Sequence, residues 1–443
     1  MPERIIEKLL AEREFKAVKS ILETINPVDL AQLLMEMDEK ESLMVFRLLP
    51  KKEAAETFSY METNKQKRLI EAFSEKELQD IFAEMFLDDT VDIVEEMPAN
   101  VVARILRSAD EQKRLQINAL LHYPKDSAGS IMTTEYVSLK KEMTVTEALR
   151  RIKQVGIDRE TIYTCYVTEN RRLIGIVSAK DLLISDENRR MEEIMARNLI
   201  YVETHTDKED VANKIKKYGL LALPVVDSEF CLVGIVTVDD AMAVLQEETS
   251  EDLAIMAAVS PSDHSYFGAS VFEHAKNRVP WLLVLMLSAA LTGMIISRYE
   301  EAFAAVPLLV SFIPMLMDTG GNCGSQSSAL IIRGLAVDEI HFADFFKVLF
   351  KEFRVALLVS LVLALVNGIR ILLMYQDPLL ALVIAISLVV TVVLSKSIGC
   401  MLPLLAKRCG LDPAIMAAPL ITTLVDAGAI LVYFSVATAI LHI

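Results

Sequence analysis

The stretch DPAIMAAPLITTLVDAGAILVYFSVATAIL, residues 412–441, decides how this chain is organised. After its first residue, the one charged side chain is Asp426. As a continuous helix the stretch would reach about 43 Å, more than the roughly 30 Å hydrocarbon core of a bilayer. A carboxylate at that depth costs several kcal/mol, so it normally faces a partner or a water-filled path. The stretch therefore predicts a membrane span with a polar functional point near its middle.

Asp412 precedes the same span and is expected to share a face with Asp426. Continuous helix between them would hold the two carboxylates within about 40° of one another and about 21 Å apart along the axis. Thr422 and Thr423, one turn before Asp426, extend this polar stripe. Asp412 before Pro413 also fits a helix cap with proline at the first helical position, and the two roles are compatible.

Asp426 also has a structural interpretation, as a carboxylate paired with Lys396 or Arg370. Both cations lie in other apolar stretches of the chain. A paired carboxylate would hold helices together without touching an ion. The residues alone leave both interpretations open.

The charges are unevenly distributed along the 443 residues, which are 53% hydrophobic. From Asn277 onward there are ten basic and ten acidic residues, so the first 276 residues hold 35 basic and 51 acidic ones. This acidic part carries the whole net charge of −16, which argues against a nucleic-acid surface. It favours cation binding, although ordinary solubility charge explains it as well.

Cysteine and histidine give no metal or disulfide pattern. None of the five cysteines forms CxxC, and the six histidines do not cluster with them. The N-terminal MPERIIEKLLAEREF is predicted to be a charged amphipathic helix and not a signal peptide. No constellation of residues suggests catalysis, so an enzyme is not expected.

A twelve-residue period runs through the first 125 residues. Apolar pairs recur, with Thr57 as the weak point, at Leu33/Leu34, Val45/Phe46, Thr57/Phe58, Leu69/Ile70, Ile81/Phe82, Ile93/Val94 and Ile105/Leu106. Most pairs are followed three residues later by another apolar residue, which is helical spacing. Units of this length fit two helical turns and a connector, so the period predicts stacked short helices. Within the repeat, Asp88 and Asp92 lie one turn apart and could hold a hard cation or form a solvated face.

A second repeat covers residues 130–248. IMTTEYVSL (131–139) aligns with IMARNLIYV (194–202), and LIGIVSAKDLL (173–183) aligns with LVGIVTVDDAM (232–242). Each copy is expected to run strand, helix, strand, strand, helix. The pattern resembles a tandem CBS pair, a regulatory unit that binds nucleotides or ions.

The glycine turn of each copy carries possible nucleotide contacts. The resemblance implies that Ser178 and Asp181 in the first copy, like Thr237 and Asp240 in the second, could contact ribose. The same residues can instead cap the following helix. ATP binding therefore stays open.

Five membrane spans are predicted, at about 279–297, 302–333, 353–374, 379–404 and 413–441. The second contains TGGNCGSQS (319–327), whose glycines suit non-helical backbone lining a cavity or, alternatively, close helix packing. Most of the Lys and Arg residues near the spans would lie on one side. The positive-inside rule then puts the N-terminal domains in the cytosol and the C-terminus outside.

The order of these segments, with RVPWL, PMLMDTGGNCGSQS and DPAIMAAPLITTLVDAGA, resembles the MgtE family of magnesium channels and transporters. The resemblance implies a multidomain homodimer in the bacterial inner membrane. Its expected parts are a cytosolic α-helical repeat domain (1–128), a tandem CBS pair of α+β modules (129–189 and 190–246), a connecting helix (247–277) and a five-helix transmembrane domain (278–443).

The resemblance also implies roles for individual residues in a pore between protomers. Asp426 would hold hydrated Mg²⁺ at the narrow point. Asn322 and Thr422 would help line the path, and Asp412 would lie near the cytosolic mouth. Mg²⁺ suits such a site because it prefers oxygen and dehydrates reluctantly.

The soluble region is similar to a magnesium sensor that closes the pore. Mg²⁺ would bridge acids of the repeat, the second CBS module and the connector: Asp88, Asp92, Asp240, Glu251 and Asp252. The alternatives are a CBS-regulated carrier of another divalent cation, such as Mn²⁺, Co²⁺ or Ni²⁺, and a membrane-anchored sensor that moves no ion. The expected partners are Mg²⁺, membrane lipid and a second copy of the chain, without nucleic acid.

Overall fold

The computed structural model describes residues 2–262, 266–299 and 306–442. They form two compact units, Met1–Glu247 and Glu248–Ile443, each with its own hydrophobic cores. The first unit contains the helical repeat and the CBS pair. The second contains the end of the connecting helix and the long apolar helices.

Short helices occupy the described residues before the CBS pair: α1 (Pro2–Ala11), α2 (Phe15–Leu22), α3 (Pro27–Glu36), α4 (Glu39–Phe46), α5 (Lys51–Ser59), α6 (Thr63–Ala72), α7 (Glu75–Glu84), α8 (Leu87–Glu96), α9 (Ala99–Ser108) and α10 (Glu111–Leu120). From α3 onward the N-cap residue recurs at Asn26, Asp38, Pro50, Glu62, Ser74, Phe86, Pro98 and Asp110. The predicted period is therefore the period of helix starts.

The repeat buries the residues that the sequence singles out. Each pair from Leu33/Leu34 to Ile93/Val94 is buried, including Thr57. The apolar residue after the pair often ends the helix in an extended conformation, as Met37 and Met85 do, and is also buried. Alternate helices α3, α5, α7 and α9 stack on one another. The predicted helical repeat is confirmed.

The CBS pair consists of two three-stranded sheets. The strands are β1 (Val137–Lys140), β2 (Thr164–Glu169), β3 (Arg172–Ser178), β4 (Val202–Glu203), β5 (Ala222–Val226) and β6 (Leu232–Thr237). In each sheet the first two strands are parallel and the last two antiparallel. The helices are α11 (Val145–Val155), α12 (Ala179–Ile184), α13 (Met191–Ile194), α14 (Lys208–Tyr218) and α15 (Val238–Met256). The predicted order of elements is present in both copies.

The two CBS modules exchange short bridges. Thr133, before the first sheet, pairs with Ile235 in β6, and Ala196, before the second sheet, pairs with Ile176 in β3. These bridges place the chain before each module against the strand of the other. The last helix of the second module, α15, continues without a break into the connector as far as Met256.

The described residues of the C-terminal unit include the long helices α16 (Val271–Ser297), α17 (Ile313–Ala336), α18 (Phe345–Tyr375), α19 (Pro378–Arg408) and α20 (Ala418–Leu441). Four stretches, containing α16, α18, α19 and α20, are long and apolar enough to cross a membrane among the described residues. The fifth, α17, is 24 residues long but carries polar residues at its centre. Its role as a span remains a prediction. Helix α19 packs against α17, α18 and α20.

The expectation of non-helical backbone at TGGNCGSQS is wrong. Residues 319–327 lie inside continuous helix α17. Their glycines instead permit close packing: a Cβ on Gly320 would stand 2.9 Å from side-chain atoms of Thr391 and Val425, and one on Gly324 would stand 2.7 Å from Ile421. The helix gains contacts with two neighbours that larger residues would block.

The expectation of one continuous helix through residues 412–441 is also wrong. Pro413–Met416 form a 3₁₀ turn, and Ala417 is extended at φ −85° and ψ −169° before α20 begins. The predicted angle and axial distance between Asp412 and Asp426 therefore do not apply. Pro419 lies in the first turn of α20, where its missing backbone N–H costs no helical hydrogen bond, so the proline suits a helix start at this point.

The contacts at the glycines predict that a Gly→Ala substitution lowers stability at a packed position but not at an open one. A Cβ at Gly399 of α19 would collide with the carbonyl oxygen of Gly324, so we expect Gly399→Ala to cost about 1–3 kcal/mol despite the higher helix propensity of alanine. Matched controls are Gly293→Ala in α16 and Gly368→Ala in α18, where an added Cβ meets nothing within 4 Å. Thermal unfolding of the full chain in detergent measures the difference. Equal stability in all three variants would contradict the close-packing account.

Candidate functional site

Close packing of α17 against α20 creates the membrane site. An added Cβ at Gly320 would contact Val425, and one at Gly321 would lie 3.0 Å from Cγ2 of Thr422. Asp426 follows Val425 directly on α20. The carboxylate is thus held beside the polar part of α17 by backbone-to-side-chain contact.

Three polar residues lie on α17 and α20 in this region. Asp318 and Asn322 are one turn apart on α17 and both are exposed, while Asp426 on α20 is half-buried. Asp318 lies close enough to Asp426 to act on it electrostatically. Two carboxylates and an amide oxygen offer oxygen ligands, or acceptors for a hydrated hard cation.

Asp318 was missed as a site residue by sequence reasoning. It stands within PMLMDTGGNCGSQS, four residues before Asn322, as a lone acid in an apolar region. The same argument that selected Asp426 would have found it. Its relation to Asp426 depends on helix packing and is absent from the sequence.

The threonines of the predicted polar stripe have backbone partners. Thr422 and Thr423 both donate hydrogen bonds to the carbonyl oxygen of Pro419, at 3.0 and 2.9 Å. The methyl group of Thr422 faces Gly321. In this arrangement Thr422 packs α20 against α17, and its hydroxyl oxygen can still accept a hydrogen bond.

Asp412 acts as a cap. Its Oδ1 accepts a hydrogen bond from the backbone N–H of Ala414 at 2.8 Å. The capping interpretation is therefore correct. A further role at the mouth of a path remains a prediction.

The proposed pairing of Asp426 with Lys396 or Arg370 is wrong. Lys396 is buried against Glu352 and Ser327 instead. Arg370 directs its guanidinium to the sulfur of Met315. Asp426 thus belongs to the half-exposed polar group with Asp318, which suits an ion site better than a structural pair.

A second group of carboxylates lies in the first compact unit. Single carboxylate oxygens of Asp88, Glu135 and Glu160 lie within 4.8 Å of one another. Asp88 is in the first turn of α8, and the other two residues lie in loops of the first CBS module. The backbone N–H of Glu160 donates to the carbonyl of Glu135 at 2.9 Å, which ties the loops together. Oxygen ligands at this spacing can hold a divalent cation.

Asp240 connects the second CBS module with this group. It lies in the first turn of α15 and accepts a hydrogen bond from Thr237 at 2.6 Å. Its charge acts on Asp88, Asp92 and Glu160. Three elements far apart in sequence therefore direct acids toward one region.

Burial is the first cause of the raised pKa values of the carboxyl groups in this region. It raises the pKa of Asp89 to about 6 and that of Asp92, which keeps an exposed surface, to about 7, and repulsion by Asp240 is the second cause in both cases. Burial likewise raises the pKa of Glu160 to about 8 and that of Asp240 to about 6. The pKa of Asp88 is well above its ordinary value for the same two reasons as Asp92. A cation among these groups would relieve both costs.

Lys113, a cation near these acids, already has hydrogen-bond acceptors of its own. Lys113 interacts electrostatically with Glu135 and Asp88, but its ammonium donates to the backbone carbonyls of Phe82 and Met85. It therefore ties α10 to the end of α7 and the residue after it.

Glu251 and Asp252 lie in the second compact unit, further along α15 than Asp240. Glu251 is exposed and Asp252 is half-buried. Their predicted participation in a regulatory site remains a prediction. By contrast, Asp240 acts electrostatically on both Asp88 and Asp92.

Ser178 and Asp181 form a capping box at the start of α12. The Ser178 hydroxyl donates to Asp181 Oδ2 at 2.6 Å, and the backbone N–H of Asp181 donates to Ser178 Oγ at 3.1 Å. The structural interpretation of this motif is correct. Nucleotide contact would have to use the remaining acceptor capacity of the carboxylate.

Glu135 and Glu160 are the ligand candidates that sequence reasoning missed. Neither lies at helical spacing from Asp88, and Glu135 belongs to the repeated segment IMTTEYVSL of the CBS pair. The one signal was the excess of acids in the soluble region. Their meeting depends on docking of the repeat against the CBS module, where Leu87 N–H donates to Glu135 at 3.3 Å.

A helical repeat, a CBS pair and a unit of long apolar helices with acids between them are the parts of a membrane transport protein. The family models agree: MgtE intracellular N domain matches residues 25–126, CBS domain matches 128–187 and 191–247, and MgtE, divalent cation transporter, matches 313–436. Two relatives named magnesium transporter MgtE resemble almost the whole chain. The protein from Thermus thermophilus is 38% identical, covering 99% of this chain and 98% of its own, and that from Bacillus subtilis is 32% identical, covering 98% and 96%. The chain belongs to the MgtE family.

Solved structures match the soluble region. The cytosolic domain of the Mg²⁺ channel MgtE in complex with ATP aligns with a TM-score of 0.52 and 38% identity, covering 54% of this chain and 98% of that one. The soluble part of a magnesium transporter aligns with a TM-score of 0.53 and 31% identity, covering 56% and 97%. Both support the described fold of the repeat and CBS pair.

The raised pKa values predict opposite pH effects with and without Mg²⁺. Carboxyls with folded pKa values of about 6 to 7 in Asp89, Asp92 and Asp240 take up protons on folding, because unfolded carboxyls titrate near about 4. Stability in EDTA should therefore fall as the pH rises from 5 to 8. Added Mg²⁺ needs ionised ligands, so its stabilising effect should be larger at pH 8 than at pH 6. Thermal unfolding of the fragment 1–247, one compact unit, measures both effects.

Asp240→Asn should weaken both effects, whereas Asp38→Asn should not, because Asp38 is an N-cap outside the acidic group and asparagine caps equally well. KCl at equal ionic strength controls for screening. A Mg²⁺ effect independent of pH, or unchanged by Asp240→Asn, would contradict the assignment.

Proposed function

We propose that this chain is a Mg²⁺-selective channel or transporter of the bacterial inner membrane, closed by cytosolic Mg²⁺. The observation that carries the proposal is the half-buried Asp426 facing Asp318 between packed helices of an MgtE-family membrane unit. Relatives that share nearly the full length are named magnesium transporters.

The chemistry of the membrane site suits a hydrated ion. Mg²⁺ keeps water because it dehydrates reluctantly and demands octahedral oxygen geometry. Asp426 and Asp318 supply negative charge, and Asn322 supplies an amide that can bind the water shell. Exposed side chains on α17 can reach a large hydrated ion without being buried themselves. Such contacts select by charge density, which disfavours monovalent ions.

A homodimer would complete this path. Asp318 and Asn322 are exposed in the single chain, so a second copy could face them across a two-fold axis. Two copies of Asp426 would then form a carboxylate ring. We propose this arrangement with the soluble domains in the cytosol and the C-terminus outside, in accord with the positive-inside rule.

The acidic group of the soluble region would be the sensor. Asp88, Asp92, Asp240, Glu135 and Glu160 concentrate charge that burial and mutual repulsion make costly. Bound Mg²⁺ would favour the arrangement in which these acids are close. A ligand shifts an equilibrium only through its differential affinity, so this would stabilise one state, which we propose is the closed one.

ATP is a second proposed ligand of the soluble region. A relative's cytosolic domain has been solved in complex with ATP. In this chain Ser178 and Asp181 stand at the start of α12, where a carboxylate can accept from ribose hydroxyls while it caps the helix. We propose a regulatory role for ATP, since these residues lie in the CBS pair.

Asp426→Asn tests the transport site. The amide keeps the shape but removes the charge, so we expect Mg²⁺ uptake into proteoliposomes to fall at least tenfold or to lose discrimination against K⁺, consistent with about 1.4 kcal/mol or more of lost ion stabilisation. Asp338→Asn is the matched control, since Asp338 is exposed after α17 with φ 60°, a conformation asparagine tolerates. Running Mn²⁺, Co²⁺ and Ni²⁺ in parallel decides the preferred ion. Wild-type flux and selectivity in Asp426→Asn would contradict the assignment of Asp426 to the transport site.

The double variant Glu251→Gln, Asp252→Asn tests the connector. If these acids contribute to Mg²⁺ inhibition, the channel should stay open at higher internal Mg²⁺ while its open-pore selectivity is unchanged. Patch recording of inhibition against internal Mg²⁺ measures the shift. An unchanged curve would mean that the two acids form only a solvated face.

A further inference from the structure

A buried charge pair joins three long helices of the C-terminal unit, α17, α18 and α19. Lys396 of α19 donates to the Ser327 hydroxyl of α17 at 3.1 Å, and that hydroxyl donates to Oε2 of Glu352 of α18 at 2.6 Å. The ammonium and the carboxylate are 3.8 Å apart. Residue exposure is 4% for Lys396, 9% for Glu352 and 0% for Ser327.

Burying the Glu352–Lys396 pair costs desolvation free energy, so its presence calls for a functional or structural reason. Removing a cation and an anion from water carries a desolvation penalty that their attraction only partly offsets, so apolar residues would often stabilise a fold equally well. Polar groups within a membrane unit therefore tend to mark function or to fix one helix arrangement. Here each group has a partner, and the serine links the two charges by donating one hydrogen bond and accepting another.

The pair acts on the helix that carries the ion ligands. Ser395, next to Lys396, donates to the carbonyl of Gly320, which lies between the two polar ligands of α17 in sequence. Gly324 packs against Ser395 and Gly399. Helix α19 therefore holds α17 by hydrogen bonds at two levels, Gly320 and Ser327. Rotation of α17 would break both bonds and move its polar ligands.

We propose that Glu352 and Lys396 are positioning residues: their charge-compensated contact with Ser327 fixes the rotation of α17 and thereby sets the spacing of Asp318 and Asn322 from Asp426. The pair itself touches no ion. Its effect on selectivity rests on the proposed transport function, whereas its effect on helix packing does not.

The test compares Glu352→Gln, Lys396→Met, Ser327→Ala and a charge exchange, the double variant Glu352→Lys, Lys396→Glu, in the full chain. Each single charge removal leaves one buried charge without its partner. We expect lower unfolding temperatures in detergent and an approximately tenfold loss of the preference for Mg²⁺ over Mn²⁺ in proteoliposome uptake, equal to about 1.4 kcal/mol.

The charge exchange should recover most of both losses. A serine hydroxyl can both donate and accept a hydrogen bond. Ser327 can therefore still bridge the two charges when the carboxylate is on α19 and the ammonium is on α18. Ser360→Ala is the matched control for Ser327→Ala, since the Ser360 hydroxyl bonds within its own helix, to Leu357.

The outcomes separate the two proposals. Wild-type ion preference in both single charge variants, or losses in the exchange equal to the sum of the single losses, overturns the positioning role. Lower stability with an unchanged ion preference also overturns it, since that is what a purely structural pair would give. If the wild-type protein moves no ion, the transport proposal fails, and an exchange that restores the unfolding temperature still shows that the pair clamps α17.

Discussion

The close approach of α17 to α19 and α20 is the constraint on which the membrane unit depends. Lipid tails are as apolar as leucine, so helices in a bilayer associate through packing and hydrogen bonds and not through the hydrophobic effect. Gly320 and Gly324 of α17 and Gly399 of α19 let the backbones touch. The Ser395 and Ser327 hydrogen bonds then fix the rotation that places Asp318 beside Asp426.

Carboxylates in this protein are held in two different ways. Glu352 is buried with a lysine and a serine, which satisfies its charge inside the protein. The group around Asp88 is packed among other acids, and its pKa values rise through burial and repulsion. The first arrangement is suited to rigidity. The second is expected to respond to added cations, because a bound cation would offset the burial of the carboxylates and the repulsion between them.

The two acidic sites would then give one protein both a path and a sensor for the same ion. The membrane site exposes its ligands, which suits weak and rapid contact with a hydrated ion. The soluble site gathers its ligands at the meeting of α8, two loops and α15, with Asp88 buried and Glu135 and Glu160 half-buried, which suits binding that changes with the arrangement of these elements. Membership of the MgtE family agrees with this division of tasks.

The sequence alone determined what depends on short-range spacing. The twelve-residue period predicts the helix starts from Asn26 to Asp110, the duplicated strand pattern predicts the two sheets, and the isolation of Asp426 marks the membrane site. Tertiary structure decided which distant groups meet. Glu135 and Glu160 lie near Asp88 only when the repeat docks on the CBS module. Helix packing places Lys396 beside Glu352 and not beside Asp426. Helical geometry at TGGNCGSQS is likewise set by its neighbours, since glycine by itself disfavours a helix interior and the packed helix supplies the contacts that offset this.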